Sequence, residues 1–278
     1  MEVLSFDILE FWNSSFVQGF LGNAIWFALG ALVMWLRKNV RFYPLYIRIL
    51  YFFSRKKYVL IWNDHNINTS EKIISKLIKQ KHIKYKALNE PEDLLKYPLY
   101  PKYIHEIILI VSDVTKLSET KQCRKEIQLM LILYVRKGGT LLGTHDIIYR
   151  RCRNDALQNA FGCKLDNFQR ENKPIEVVLA AGQESHPLVK GLQPSFFFDD
   201  GEVCWGNWSK DTIYLIVTKK KYIGRTKSVP ILTVRHIGNN GTFIWLNSGD
   251  KGDSLSNSLN IPQDELLTIF NNSILNRI

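Results

Sequence analysis

Residues 16–36, FVQGFLGNAIWFALGALVMWL, run for twenty-one positions without a charged side chain. As an α-helix this stretch is roughly 32 Å long, about the hydrocarbon thickness of a bilayer. A core helix of a globular domain seldom stays apolar on every face for that length, so a single membrane span is the expectation. A cleaved leader fits poorly, because Glu2, Asp7 and Glu10 precede the stretch and no basic residue does. Arg37, Lys38 and Arg41 follow at once, with Arg48, Arg55, Lys56 and Lys57 close behind. A positive flank is retained inside. The expected protein is therefore single-pass in the inner (cytoplasmic) membrane, N-terminus outside and C-terminal domain in the cytoplasm.

This divides the chain into a short external segment (1–15), the span (16–36), a basic and aromatic juxtamembrane segment (37–56) and a cytoplasmic domain (57–278). Within the span, Gln18 and Asn23 are polar, and Ala24 with Ala28 forms a small-xxx-small pair. Such residues serve helix association in lipid, and a homo-oligomer would use them; a monomeric anchor also tolerates them. The run RFYPLYIRILYFFSRKK is too short and too basic to cross again, and its aromatics suit an interfacial helix or elbow.

The net charge of +11 would suit nucleic acid, but seven positive charges fall between Arg37 and Lys57, where membrane topology accounts for them. The remainder are dispersed, and a nucleic-acid partner is not expected. The four cysteines, Cys123, Cys152, Cys163 and Cys204, lack paired metal-ligand spacing and read as packing residues of a reducing compartment.

The cytoplasmic part opens with KYVLIW, a continuous apolar run of the kind found in buried parallel strands. A helix capped by Ser70, a strand at 83–87, and the strand HEIILIVSD follow. A helix over 119–137 stops at Gly138, and TLLGTHD reads as the next strand, 140–146. A helix around 150–161, a strand at 175–180, DTIYLIVT, a hairpin turning at 238–241 and a closing helix at 263–275 complete the pattern. This alternation predicts an α/β fold with a doubly wound, mostly parallel sheet. Ligands of such sheets bind at the carboxyl ends of the strands. That edge collects Asn63, Asp64, His65, Ser112, Asp113, Thr144, His145 and Asp146.

Three stretches together resemble the trehalose-utilisation ThuA-like family of the class I glutamine amidotransferase-like superfamily. They are YVRKGGTLLGTHD; HPLVKGL followed by Asp199, Asp200 and Glu202; and VPILTVRHIGNNGTFIWLNSGD. The likeness spans about residues 57–275 and implies a flavodoxin-like sheet with a polar pocket for a small molecule, often a carbohydrate. It implies that His145 lies at the pocket floor, where related amidotransferases carry a nucleophilic Cys, and that His186, Asp200 and Glu202 line its side. Two departures stand out: Ser248-Gly249-Asp250 where the family often has a terminal His, and Asp146-Ile147 where it prefers small residues.

With His145 at the elbow and no thiol there, a Cys-His-Glu amidotransferase triad is excluded at that position. His65, His145 and His186 with Asp200 or Glu202 have the right chemistry for zinc, but their scatter sets no ligand geometry, so no metal is expected. His145 with Glu202 are the candidate acid–base pair. Trp205 offers an aromatic face beside the carboxylates, suited to a sugar or nucleoside. WNDHNINTSE lacks the glycines of a phosphate loop, which argues against NAD, ATP or another such cofactor. The expected function is that of a membrane-anchored small-molecule sensor or effector whose domain biases the packing of its membrane helices, a design suited to bacterial stress or antiphage signalling. A membrane-tethered enzyme on a sugar or polyol is the alternative, and a scaffold docking a partner protein on the membrane the third.

Overall fold

The computed structural model describes residues 42–64, 83–111, 124–171, 173–198, 202–222, 228–238, 240–247 and 264–275, with single positions or short pieces in 19–31, 74–77 and at 117. Among the described residues no helix is long and apolar enough to cross a membrane. The expected span lies mostly outside them, Gln18 included; Asn23, Ala24 and Ala28 fall in a helical stretch, 23–28, with exposed side chains.

Helix α1 (Phe42–Ser54) leads into strand β1 (Lys57–Asn63). Its Ile47 is buried in the core, and Tyr51 meets the Tyr103 ring edge-on at 5.3 Å between centroids. The opposite side is apolar and uncovered: Leu45, Ile49, Phe52 and Phe53 recur at helical spacing, the last two 65% and 80% exposed.

Strands β2 (Ile83–Leu88), β3 (Ile104–Ile110) and β4 (Thr140–Thr144) follow, and the chain returns much later to add β11 (Gly241–Leu246). These five run parallel in the order β2-β1-β3-β4-β11, the flavodoxin-like arrangement. The sheet continues antiparallel through β10 (Ser228–Ile237), β9 (Ile213–Lys221), β6 (Ile175–Leu179) and β7 (Ser195–Phe198), making nine strands. A separate two-stranded ribbon pairs β5 (Cys163–Arg170) with β8 (Glu202–Trp208).

Alternate residues of the central strands enter two cores. Leu60, Trp62, Ile107, Leu109, Leu141 and Trp245 face helices α2 (Arg124–Arg136) and α3 (Asp155–Phe161), and Ile61, Ile108, Leu142 and Ile244 face helix α4 (Asp264–Leu275). Helices on both faces make the sheet doubly wound, as the β–α alternation predicts. Helix α2 ends where Gly138 turns left-handed at φ +92°.

The expected strand over 140–146 is shorter than predicted. It stops at Thr144, because His145 adopts φ +23° and starts a 3-10 turn over His145–Ile148. The helix expected around 150–161 is likewise broken at Arg153, φ +50°, and only Asp155–Phe161 is α-helical.

Candidate functional site

Register places Asn63 opposite Ile110, Gly143 opposite Trp245, and Thr144 opposite Leu246, so the carboxyl ends of β1, β3, β4 and β11 are level. Asn63 and Thr144 are both buried on that edge. The Thr144 hydroxyl oxygen accepts the Val111 N–H at 2.9 Å and ties β4 to β3. Asp64, next along β1, donates its N–H to the Ile110 carbonyl at 3.1 Å. His65, Ser112, Asp113 and Asp200 lie outside the described residues.

His145 stands at the centre of this edge, 1% exposed. Its backbone is held from two sides: the Trp245 indole donates to its carbonyl at 3.2 Å, and the following N–H, of Asp146, donates to Val111 O at 3.1 Å. Its ring is held from three. Nδ1 lies 3.0 Å from Asp146 Oδ1, and Nε2 lies 3.1 Å from Cys204 Sγ and 3.4 Å from Glu202 Oε1. The Cys204 thiol donates to the same Glu202 oxygen at 3.3 Å. Strained backbone and perturbed ionisable groups cluster at functional sites, which makes this edge the candidate site.

Strand β8 brings Glu202 and Cys204 to this point, and Asn247 fastens it there. The Asn247 amide oxygen accepts the Cys204 N–H at 3.0 Å, and its amide nitrogen donates to the Glu202 carbonyl at 2.9 Å. Asn247 is fully buried at the end of β11, so one side chain sets the two strands in register. At the outer face, Arg170 Nε stands 3.7 Å from the second Glu202 oxygen.

The electrostatics follow from this geometry. Burial opposes a charged imidazole, yet Cys204, Asp146 and Glu202 together hold the His145 pKa well above its ordinary value. Burial also acts to raise Glu202, but His145, Cys204 and Arg170 outweigh it and keep that carboxyl below its usual range. Burial pushes the Cys204 thiol up to about 12. The raised imidazole thus stands between the Asp146 side chain and the lowered Glu202 carboxyl, with a thiol that burial keeps protonated beside it. The thiol is aligned on an imidazole whose far nitrogen meets a carboxylate, the geometry of a nucleophile–base–acid set. Held as a thiol and shielded from solvent, it is not a ready nucleophile.

Two expected residues belong elsewhere. Trp205 alternates away from Glu202 and Cys204 along β8, enters the opposite core and packs on Tyr222 at 5.7 Å. His186 caps the 3-10 turn Pro187–Val189 with Nδ1, and that turn is tied through Asn272 to α4. Helix α4 meets His105 at the amino end of β3, and His186 feels the charge of His236, which bonds Thr242 at the amino end of β11. His186 is therefore at the far end of the sheet, the end of Thr242, which lies roughly 17 Å along β11 from Asn247. A half-open hollow of about 450 Å³ near Arg136, Asn159 and Arg235 shares no residue with either position.

Reading Cys204 as a packing residue missed its contact with His145. The available signal was period two: Glu202 and Cys204 project to one side of any strand that contains them. Asn247 had no such signal, because its partners lie more than forty residues away.

No protein-family model matches this chain, and no curated protein matches it. Among solved structures it is similar to a glutamine amidotransferase from Thermotoga maritima, at 12% identity over 68% of this chain and 74% of that one, with a TM-score of 0.46. It is also similar to a glutamine amidotransferase from Methylobacillus flagellatus (7% identity, 69% and 68% covered, TM-score 0.45) and to the mmIFT52 N-terminal domain (15%, 69% and 86%, TM-score 0.45). These are likenesses of chain trace at low identity, and none carries a family membership or an activity over to this chain.

Proposed function

We propose that the chain is a membrane-anchored protein whose α/β domain binds a small polar molecule at the edge around His145 and thereby biases how its membrane helices pack. The observation that carries this reading is the buried, strained His145 among Asp146, Glu202 and Cys204 at the carboxyl ends of the parallel strands. Folding alone has no need to bury that many ionisable groups on the edge where such sheets take ligands. The uncharged stretch 16–36, with its basic flank, supports the anchor. The uncovered face of α1 supports it too: it begins six residues after that stretch and presents Leu45, Ile49, Phe52 and Phe53 beside Arg48 and Arg55, a composition suited to the headgroup layer. The ThuA-like resemblance suggests a carbohydrate or related polyol as the ligand.

Two measurements test this. Native mass spectrometry of the full chain in detergent is expected to show a homo-oligomer that retains a small molecule. A strict monomer that carries none and leaves liposomes sealed in the presence of disaccharides or polyols would sink the sensor reading. For the anchor, Phe53→Cys carrying a nitroxide in reconstituted vesicles is expected to collide with oxygen in preference to a water-soluble nickel reagent. The reverse preference would place α1 in water.

One contact favours a second reading, a tethered enzyme on the same class of ligand: His145 Nε2 and Glu202 Oε1 are paired at 3.4 Å, a separation that acid–base groups close when substrate binds. Turnover of such a substrate is expected to fall at least about a hundredfold in His145→Ala and again in Glu202→Gln. Turnover unchanged in both would remove this reading.

A further inference from the structure

We propose that His145, Cys204 and Glu202 form a binding site for zinc or a similar borderline divalent ion, with Nε2, Sγ and Oε1 as its three protein ligands. The inference deepens the reading of this edge as the functional site by naming an inorganic component for it. The three donor atoms face one another at 3.1, 3.3 and 3.4 Å. An ion at about 2.3 Å from sulfur and about 2.0 Å from nitrogen and oxygen holds tetrahedral donors roughly 3.3–3.6 Å apart. The triangle already present is therefore one face of that tetrahedron to within a few tenths of an ångström.

The donor set narrows the ion. One thiolate, one imidazole and one carboxylate suit zinc and its borderline relatives, whereas magnesium and calcium require oxygen donors. All three residues are buried, so the ligands are fixed rather than gathered on binding. The surrounding groups have the form of an outer shell. Asp146 meets the far nitrogen of His145 at 3.0 Å, which orients the ring and selects Nε2 as the ligating atom. Asn247 fixes the main chain of both other ligands, through Cys204 N–H and Glu202 C=O. Three protein ligands leave one position for water or an oxygen of the bound molecule, the pattern of reactive rather than purely structural zinc sites.

The balance of binding is simple. The ion displaces the proton on His145 Nε2 and the thiol proton of Cys204, both released to solvent, while Glu202 enters as carboxylate. The dication replaces two protons, so the net charge of the site is unchanged and its two anionic ligands stay paired with positive charge.

The test uses the full chain in mild detergent, stripped with a chelator, reloaded with Zn(II) or Co(II) and freed of excess metal. Elemental analysis is expected to find about one ion per chain, and Co(II) to show a thiolate-to-metal charge-transfer band. Cys204→Ser should abolish the band, Glu202→Gln should weaken retention by at least about tenfold, and Cys163→Ser should change neither. Substoichiometric metal in the wild type, or Co(II) spectra identical in wild type and Cys204→Ser, would overturn the proposal. Should Cys204→Ser fail to fold, Glu202→Gln and the wild-type stoichiometry decide the matter. A negative result leaves the organic-ligand reading standing. Conversely, a monomeric protein that leaves liposomes sealed would not affect the metal count.

Discussion

Glu106→Gln is expected to stabilise the domain by about 5 kcal/mol above pH 8 and to have little effect near pH 4.5. Glu106 is a carboxylic acid in the middle of the sheet, fully buried on β3 opposite Thr140, at the other end of the strands from His145. Burial raises its pKa from 4.5 to about 8. The folded chain therefore holds this proton more tightly than the unfolded chain. Between pH 4.5 and pH 8 the folded state is protonated and the unfolded state is not, so stability falls as pH rises, by about 1.4 kcal/mol per unit. Above pH 8 the full penalty is present. Glutamine keeps the shape and never ionises. Urea unfolding of both proteins in the same detergent from pH 5 to pH 9 reads the effect, and the difference between the two curves isolates Glu106 from every other titrating group. A difference that stays flat across the range would show that Glu106 has an ordinary carboxylate environment.

Glu106 also shows how far the sequence could be read. In HEIILIVSD the acid Glu106 stands just before the apolar run IILIV, and that run identifies the strand while saying nothing about the acid's burial. Strands β1 and β3 and helix α2 were legible because their signals are local: unbroken apolar runs, and a glycine just past the last helical turn. His145 was legible for the same reason, since the end of a parallel strand marks the ligand edge. The ribbon of β5 and β8 was not, because CKLDNFQR alternates imperfectly and pairs with a segment some forty residues on. Nor was the position of His186, because nothing local in HPLVKGL tells which end of the sheet an antiparallel excursion returns to. The candidate site joins His145 and Asp146, which lie where local rules apply, to Glu202, Cys204 and Asn247, which reach it across such long separations.

The strongest test of that assembly is Asn247→Ala, set beside Asn272→Ala. Each asparagine is buried and uses its amide to hold two main-chain groups: Cys204 N–H and Glu202 C=O for Asn247, Leu188 C=O and Lys190 C=O for Asn272. Truncating either strands two polar groups, at about 1–3 kcal/mol each, so both variants are expected to lose about 4 kcal/mol of stability. Their consequences for the site should differ. Asn247→Ala removes the two hydrogen bonds by which this side chain holds β8 to the end of β11, and the Cys204 thiol, 1% exposed in the native chain, is freer to move away from His145. Labelling of Cys204 by a small thiol reagent, followed by mass spectrometry under conditions where each variant remains folded, is expected to accelerate at least about tenfold over wild type, an increase equivalent to about 1.4 kcal/mol of local opening. In Asn272→Ala it should not, because that side chain serves the far end of the sheet. Equal acceleration in both variants would mean that labelling reports global loosening, and Asn247 would then be a structural residue with no particular hold on the site.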